Sequence, residues 1–186
     1  MDKISKNSVA LAGEFAVLSR LALLGYDANM VLGHTKGVDI LVSRPNTKRM
    51  YRLEVKTSRQ AERRSGKASK VFGDYKFHWM VGSAAEKHDD PSLFYCFVSI
   101  DPKTYQYRFF VVPSRIVAEY VKTEHYVWLK SKPTHKTSEM RQFRLGTKVE
   151  KYPFKTPFVE DYEDNWNFDL KIGIGVRKSG KSGQGR

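Results

Sequence analysis

The stretch Leu93 to Ile100, LFYCFVSI, runs eight residues without a charge. A strand with one face in water alternates apolar and polar side chains, and this one does not. It reads as a strand in a sheet covered on both faces. Tyr105 to Val112 (YQYRFFVV) reads as its neighbour, joined through a turn at Asp101-Pro102.

A second pair of strands carries the chemistry. Val38 to Ser43 (VDILVS) and Met50 to Lys56 (MYRLEVK) flank a polar turn, Arg44 to Arg49. Read as a hairpin centred between Asn46 and Thr47, positions that sum to 93 face each other. Val38 then meets Val55, Ile40 meets Leu53 and Val42 meets Tyr51, an apolar face for the core. The opposite face pairs Leu41 with Arg52 and Asp39 with Glu54. A two-residue slip would keep the apolar face, so the register is an expectation. It sets two carboxylates side by side, about 4.5–5.5 Å apart at Cβ, where like charges repel. A hard cation such as Mg²⁺ or Mn²⁺ removes that repulsion, because carboxylate oxygens are its preferred ligands. Lys56 lies two residues past Glu54, so strand period two puts both on one face.

Around this hairpin, residues 8 to 24 read as a buried helix, capped by Asn7 or Ser8 and ended at Gly25 in a left-handed turn. Tyr26 to Leu32 reads as a short strand. Residues 57 to 70 have no apolar face and read as a mobile loop. Residues 71 to 88 resist assignment. Pro113 and Ser114 open a helix, SRIVAEYV. Residues 130 to 158 show little periodicity, Glu160 to Leu170 reads as an acidic helix, and the Gly/Ser-rich basic end reads as disordered. The chain of 186 residues is read as one domain over 1–175, with a core at about 8–122, an extension at about 123–175 and a disordered tail at 176–186.

The single cysteine, Cys96, excludes an internal disulfide and has no zinc-ligand spacing; it reads as a core residue in a reducing compartment. The lysines of the first residues precede an apolar stretch, but Glu14 and Arg20 interrupt it. It fits neither a secretory signal nor a membrane span, and the expected location is the cytoplasm, with no membrane partner.

Glu14 sits on the stripe of Ala10, Val17, Leu21 and Leu24, where a carboxylate is costly unless paired or bound to metal. It either points at the Asp39–Glu54 site or meets a basic group or solvent at the sheet's edge. The formal charge is +13, from 33 Lys and Arg against 20 Asp and Glu, which favours a polyanion, nucleic acid first. From Arg44 to Lys76 there are eleven basic residues against three acidic ones. Within that stretch Arg59, Arg63, Arg64 and Lys67 are the candidate DNA contacts, joined by Lys36 in the turn before Asp39. His34, in the same turn, reads as a solvated residue. The aromatics Phe72, Tyr75, Phe77, Trp79 and Trp128 read as core, with stacking on unpaired bases as the alternative.

In chain order the motifs are GE at Gly13-Glu14, GVD at Gly37 to Asp39 and EVK at Glu54 to Lys56. Together they resemble the PD-(D/E)xK, restriction-endonuclease-like nucleases, and among them the archaeal Holliday-junction resolvases and related short nucleases. Val38 stands where that family has proline, and nothing after Lys122 maps onto it. The resemblance implies an α/β fold with an α-β-β-β-α-β core, a mixed central sheet flanked by helices. It implies Mg²⁺ or Mn²⁺ as cofactor, held by Asp39, Glu54 and the Val55 backbone carbonyl, with Glu14 as a further ligand. Lys56 would orient or activate water, so the catalytic set is Glu14, Asp39, Glu54 and Lys56. It implies endonucleolytic DNA hydrolysis and a symmetric homodimer. The alternatives are a DNA-binding module without turnover, or a subunit docking through the C-terminal extension to a protein partner in a repair or defence complex.

Overall fold

The computed structural model describes residues 4–31, 37–45, 47–63, 75–146 and 156–169. Helix α1 spans Lys6–Leu23, and Ser5 caps it by accepting from the Ser8 amide at 3.0 Å. The cap therefore sits two residues before Asn7, and the helix starts earlier than expected. Gly25 ends it with φ +77°, a left-handed conformation that favours glycine.

Three antiparallel strands follow: β1 (Asp27–Met30), β2 (Ile40–Ser43) and β3 (Met50–Arg59). The β2–β3 register pairs Ile40 with Leu53, Leu41 with Arg52, Val42 with Tyr51 and Ser43 with Met50. These are the pairs that sum to 93. β3 runs to Arg59, so Thr57, Ser58 and Arg59 extend a strand instead of opening a loop. They are held there by a parallel partner, β5 (Leu93–Ile100), whose register sets Glu54 against Tyr95 and Arg59 against Ile100. β6 (Tyr107–Pro113) pairs antiparallel with β5 and completes a five-stranded mixed sheet in the order β1-β2-β3-β5-β6.

β4 (Tyr75–Gly82) and β7 (Met140–Gly146) form a second, two-stranded antiparallel sheet. The connection from β3 to the parallel β5 thus runs through β4 and a 3-10 helix, Ser83–Lys87, and the long helix α2 (Ser114–Ser131) follows β6. Helix α2 runs ten residues beyond the expected segment. The acidic segment holds only one helical turn, α3 (Val159–Tyr162). The basic tail at 176–186 lies outside the described residues.

Every residue of β5 is buried, as its uncharged run requires. Phe94, Cys96, Val98 and Ile100 enter one core with α1, β2 and β3; Tyr95 and Phe97 enter the other with β4, α2 and β7. Cys96 is fully buried, and burial pushes its thiol pKa up. Phe77 and Trp79 belong to the second core, as their aromatic character favoured. The architecture is mixed α/β, a five-stranded mixed sheet flanked by helices, as expected, with β4 and a 3-10 helix where the expected core has a helix. Among the described residues no helix is long and apolar enough to cross a membrane.

Candidate active site

The site forms where β2 leaves β3. β2 covers β3 only from Met50 to Leu53. Asp39, one residue before β2, continues the contact in a different way. Its backbone N–H donates to the Leu53 carbonyl at 2.8 Å, and its carboxylate Oδ2 accepts from the Val55 amide at 2.6 Å. A side chain thus replaces the next rung of the ladder. In a strand the N–H and C=O of one residue point to the same edge. The Val55 carbonyl therefore opens on the edge that the Asp39 carboxylate occupies.

Glu54 and Lys56 project from the face opposite Val55. Lys56 Nζ lies 2.7 Å from Glu54 Oε1. Glu54 is only 9 % exposed, and its other oxygen, Oε2, is buried with no hydrogen-bond partner. An orphaned carboxylate oxygen is costly, so something with positive charge belongs beside it. Gly37 (φ +80°) shapes this corner: a Cβ there would stand 3.4 Å from Glu54 Oε2 and 3.7 Å from His88 Cε1.

The electrostatics tie the four acidic and basic groups together. Burial raises the Asp39 pKa first; the Val55 amide and Lys56 pull it back, and Glu54 raises it further. Burial also raises the Glu14 pKa, followed by the charge of Asp39, with Lys56 opposing. Glu14, on α1, thus feels the charges of Asp39 and Lys56. Tyr95, the register partner of Glu54, has its pKa driven far up by burial and then by the Glu54 charge, while its hydroxyl meets His88 Nδ1 at 2.7 Å.

A hard divalent cation fits this donor set. Asp39, Glu54 Oε2 and the Val55 carbonyl offer oxygen, and the neighbours of the Glu54 carboxylate are Lys56 and the Tyr95 hydroxyl. Among the described residues, no three His, Cys, Asp or Glu side chains stand close enough to hold a metal ion by themselves. A cation would rest on two carboxylates and a backbone carbonyl, with Glu14 within their field.

Of the expected DNA contacts, Lys36, Arg64 and Lys67 lie outside the described residues, as does His34. Arg59 ends β3, donates to the Pro102 carbonyl at 2.9 Å and stacks its guanidinium over Tyr105. Arg63 lies over the Tyr75 ring, 4.1 Å from its centroid. Sequence reasoning missed Tyr95 and His88. The signal for Tyr95 was a hydroxyl inside an otherwise apolar strand, which has to find a partner when buried.

No protein-family model matches the chain, and no curated protein matches it. The solved structures similar to the chain include these two. One is a bacterial homing endonuclease, 13% identical, covering 88% of this chain and 90% of its own, with a TM-score of 0.45. The other is Hjc, a Holliday junction resolvase from the archaeal hyperthermophile Archaeoglobus fulgidus. It is 13% identical, covers 73% of this chain and 83% of its own, and has a TM-score of 0.39.

Proposed function

We propose that this chain is a divalent-metal-dependent nuclease that hydrolyses phosphodiester bonds in DNA, by endonucleolytic attack at the Asp39–Glu54–Lys56 site. The observation that carries the reading is the buried Glu54 Oε2. It is buried without a hydrogen bond of its own, and the Glu54 charge is felt by Asp39, whose carboxylate the Val55 amide holds. A binding surface gains nothing from carboxylates held together in this way, and a polyanion would be repelled by them.

Bound by Asp39, Glu54 and the Val55 carbonyl, Mg²⁺ or Mn²⁺ would lower the pKa of a coordinated water and neutralise charge on the phosphate. The residues do the rest. Asp39 is fixed by the Val55 amide, so its free oxygen needs no reorganisation. Tyr95 and Gly37 wall the Glu54 carboxylate in, which keeps it from turning to solvent. Lys56 shares the Glu54 face and holds a positive charge beside it. From there it can donate to an attacking water or to the equatorial oxygens of the pentavalent phosphorus. Glu14, with its raised pKa, can take a proton from that water.

The test is cleavage of supercoiled plasmid, linear duplex, single strand and a four-way junction, each with Mg²⁺, Mn²⁺ or EDTA. Cutting is expected with either metal and not with EDTA, while DNA binding persists in EDTA. Binding without cutting of any substrate would replace this reading with that of a DNA-binding module or of a subunit that docks to a partner.

A further inference from the structure

β3 outruns its partner. β2 pairs only with Met50–Leu53, and β3 continues to Arg59. The uncovered edge forms the floor of a groove of about 530 Å³. The start of α1 makes one wall with Ile4, Lys6 and Val9, and β4 makes the other with His78, Trp79 and Met80. The floor is Lys56, Thr57, Ser58 and Arg59, so the groove begins at the lysine of the site.

Its charge is of one sign. Lys6, Lys56 and Arg59 line it, and among the described residues no acidic one does. Among the described residues neither Lys6 nor Arg59 has a carboxylate partner, although the chain forms ion pairs at many other Lys and Arg residues. The first turn of α1 carries no acid, so nothing there offsets the positive end of the helix dipole. Lys56 and Arg59 are three residues apart, about 10 Å along an extended strand. One small anion does not reach both; an extended polyanion does. Ile4 (42% exposed) and Met80 (49% exposed) add apolar surface of the kind that packs on sugars and base faces.

We propose that this groove holds the sugar–phosphate backbone of the DNA strand flanking the scissile phosphate, with Lys6 and Arg59 as its phosphate contacts. The inference rests on the nuclease reading of Asp39, Glu54 and Lys56, and adds to it a direction: the strand leaves the site along β3, between α1 and β4. Lys6, at the start of the first helix, is invisible to motif reasoning because it is brought here only by the packing of α1 on β3.

The experiment is fluorescence anisotropy of labelled duplex DNA against KCl concentration, in EDTA, for the full chain. Each lost phosphate contact lowers the slope of log K against log [salt] by about 0.9 and weakens binding about 10-fold near 0.1 M salt. The Lys6→Ala, Arg59→Ala double variant is therefore expected to lose about 2 in slope. Met80→Glu, which adds a carboxylate to the wall, should also weaken binding. Lys130→Ala, Lys132→Ala, at the far end of α2, should bind like wild type. The groove is rejected if the slope of the Lys6/Arg59 variant is unchanged, or falls no further than that of the α2 control, at an unchanged thermal midpoint. Because EDTA removes cleavage, the two readings separate. A slope loss in a protein that never cuts leaves the groove's ligand standing and removes the nuclease. Cutting with an unchanged slope does the reverse.

Discussion

Asp39→Asn slows metal-dependent DNA cleavage by about 10³-fold and, in EDTA at neutral pH, raises the thermal midpoint. The first effect follows from charge. A metal centre and its oxygen ligands supply several kcal/mol of transition-state stabilisation, and each 1.36 kcal/mol is about tenfold in rate. Asparagine keeps an oxygen for the Val55 amide and loses the negative charge, so geometry survives and ligation does not. The second effect follows from the pKa. Folding raises the Asp39 pKa above its ordinary 3.8, through burial first. The folded state then binds more protons than the unfolded one, so this group's stability contribution is fully present below 3.8 and is lost as pH rises through the folded value. The advantage of Asp39→Asn over wild type should accordingly grow as pH rises through that window and then level off. Mg²⁺ should raise the wild-type midpoint and leave that of the variant unmoved. Scanning fluorimetry across pH, with and without Mg²⁺, reads both. A variant that cuts at the wild-type rate, or that is less stable than wild type in EDTA at neutral pH, refutes the assignment.

That pairing of activity and instability explains which parts of the site could be read from residues alone. The 93-sum register was readable because each of its core pairs is apolar, and a one-residue slip would have turned Ile40, Val42 and Leu53 to the wrong face. The observed pairing ends at Ile40–Leu53, and Asp39 bonds the Leu53 carbonyl and the Val55 amide rather than standing as a rung opposite Glu54. Glu14 was left with two readings, since helical spacing cannot say which neighbour a stripe meets; in the fold it feels the charges of Asp39 and Lys56. β7 was missed for a different reason. Arg141 and Arg144 are buried in it, Arg144 through an ion pair with Glu124 at 2.6 Å and Arg141 through Glu86, so charge stands where alternation predicts apolar residues. β4 carries the alternation Phe77, Trp79, Val81, but its partner β7 is some sixty residues away, and nothing local announces the pairing. The groove along Lys56 to Arg59 exists only once β4 and α1 are placed on either side of β3.

The glycine of the Gly13-Glu14 pair sets how closely α1 can approach, and Gly13→Ala is expected to destabilise the fold by about 1–3 kcal/mol, several degrees in thermal midpoint for a chain of this size. Gly13 is buried, and a Cβ there would fall 1.8 Å from Thr57 Oγ1 and 2.8 Å from both Thr57 Cβ and Cγ2. Those distances require α1 to lift from β3 or Thr57 to turn away. Thr57 Oγ1 is buried without a hydrogen-bond partner, so removing it forfeits no bond. Thr57→Ala should therefore recover part of the loss, and Thr57→Gly, which also removes the 2.8 Å Cβ contact, should recover more of the clash at the expense of strand propensity. The double-mutant cycle isolates the coupling between the two positions. Lifting α1 also carries Glu14 away from Asp39 and Lys56, whose charges it feels across the same contact. Cleavage by Gly13→Ala should thus fall along with stability, and the Thr57 variants should restore both together. If Gly13→Ala is as stable as wild type, or if changing Thr57 does not relieve it, the close approach of α1 to β3 is not what positions Glu14.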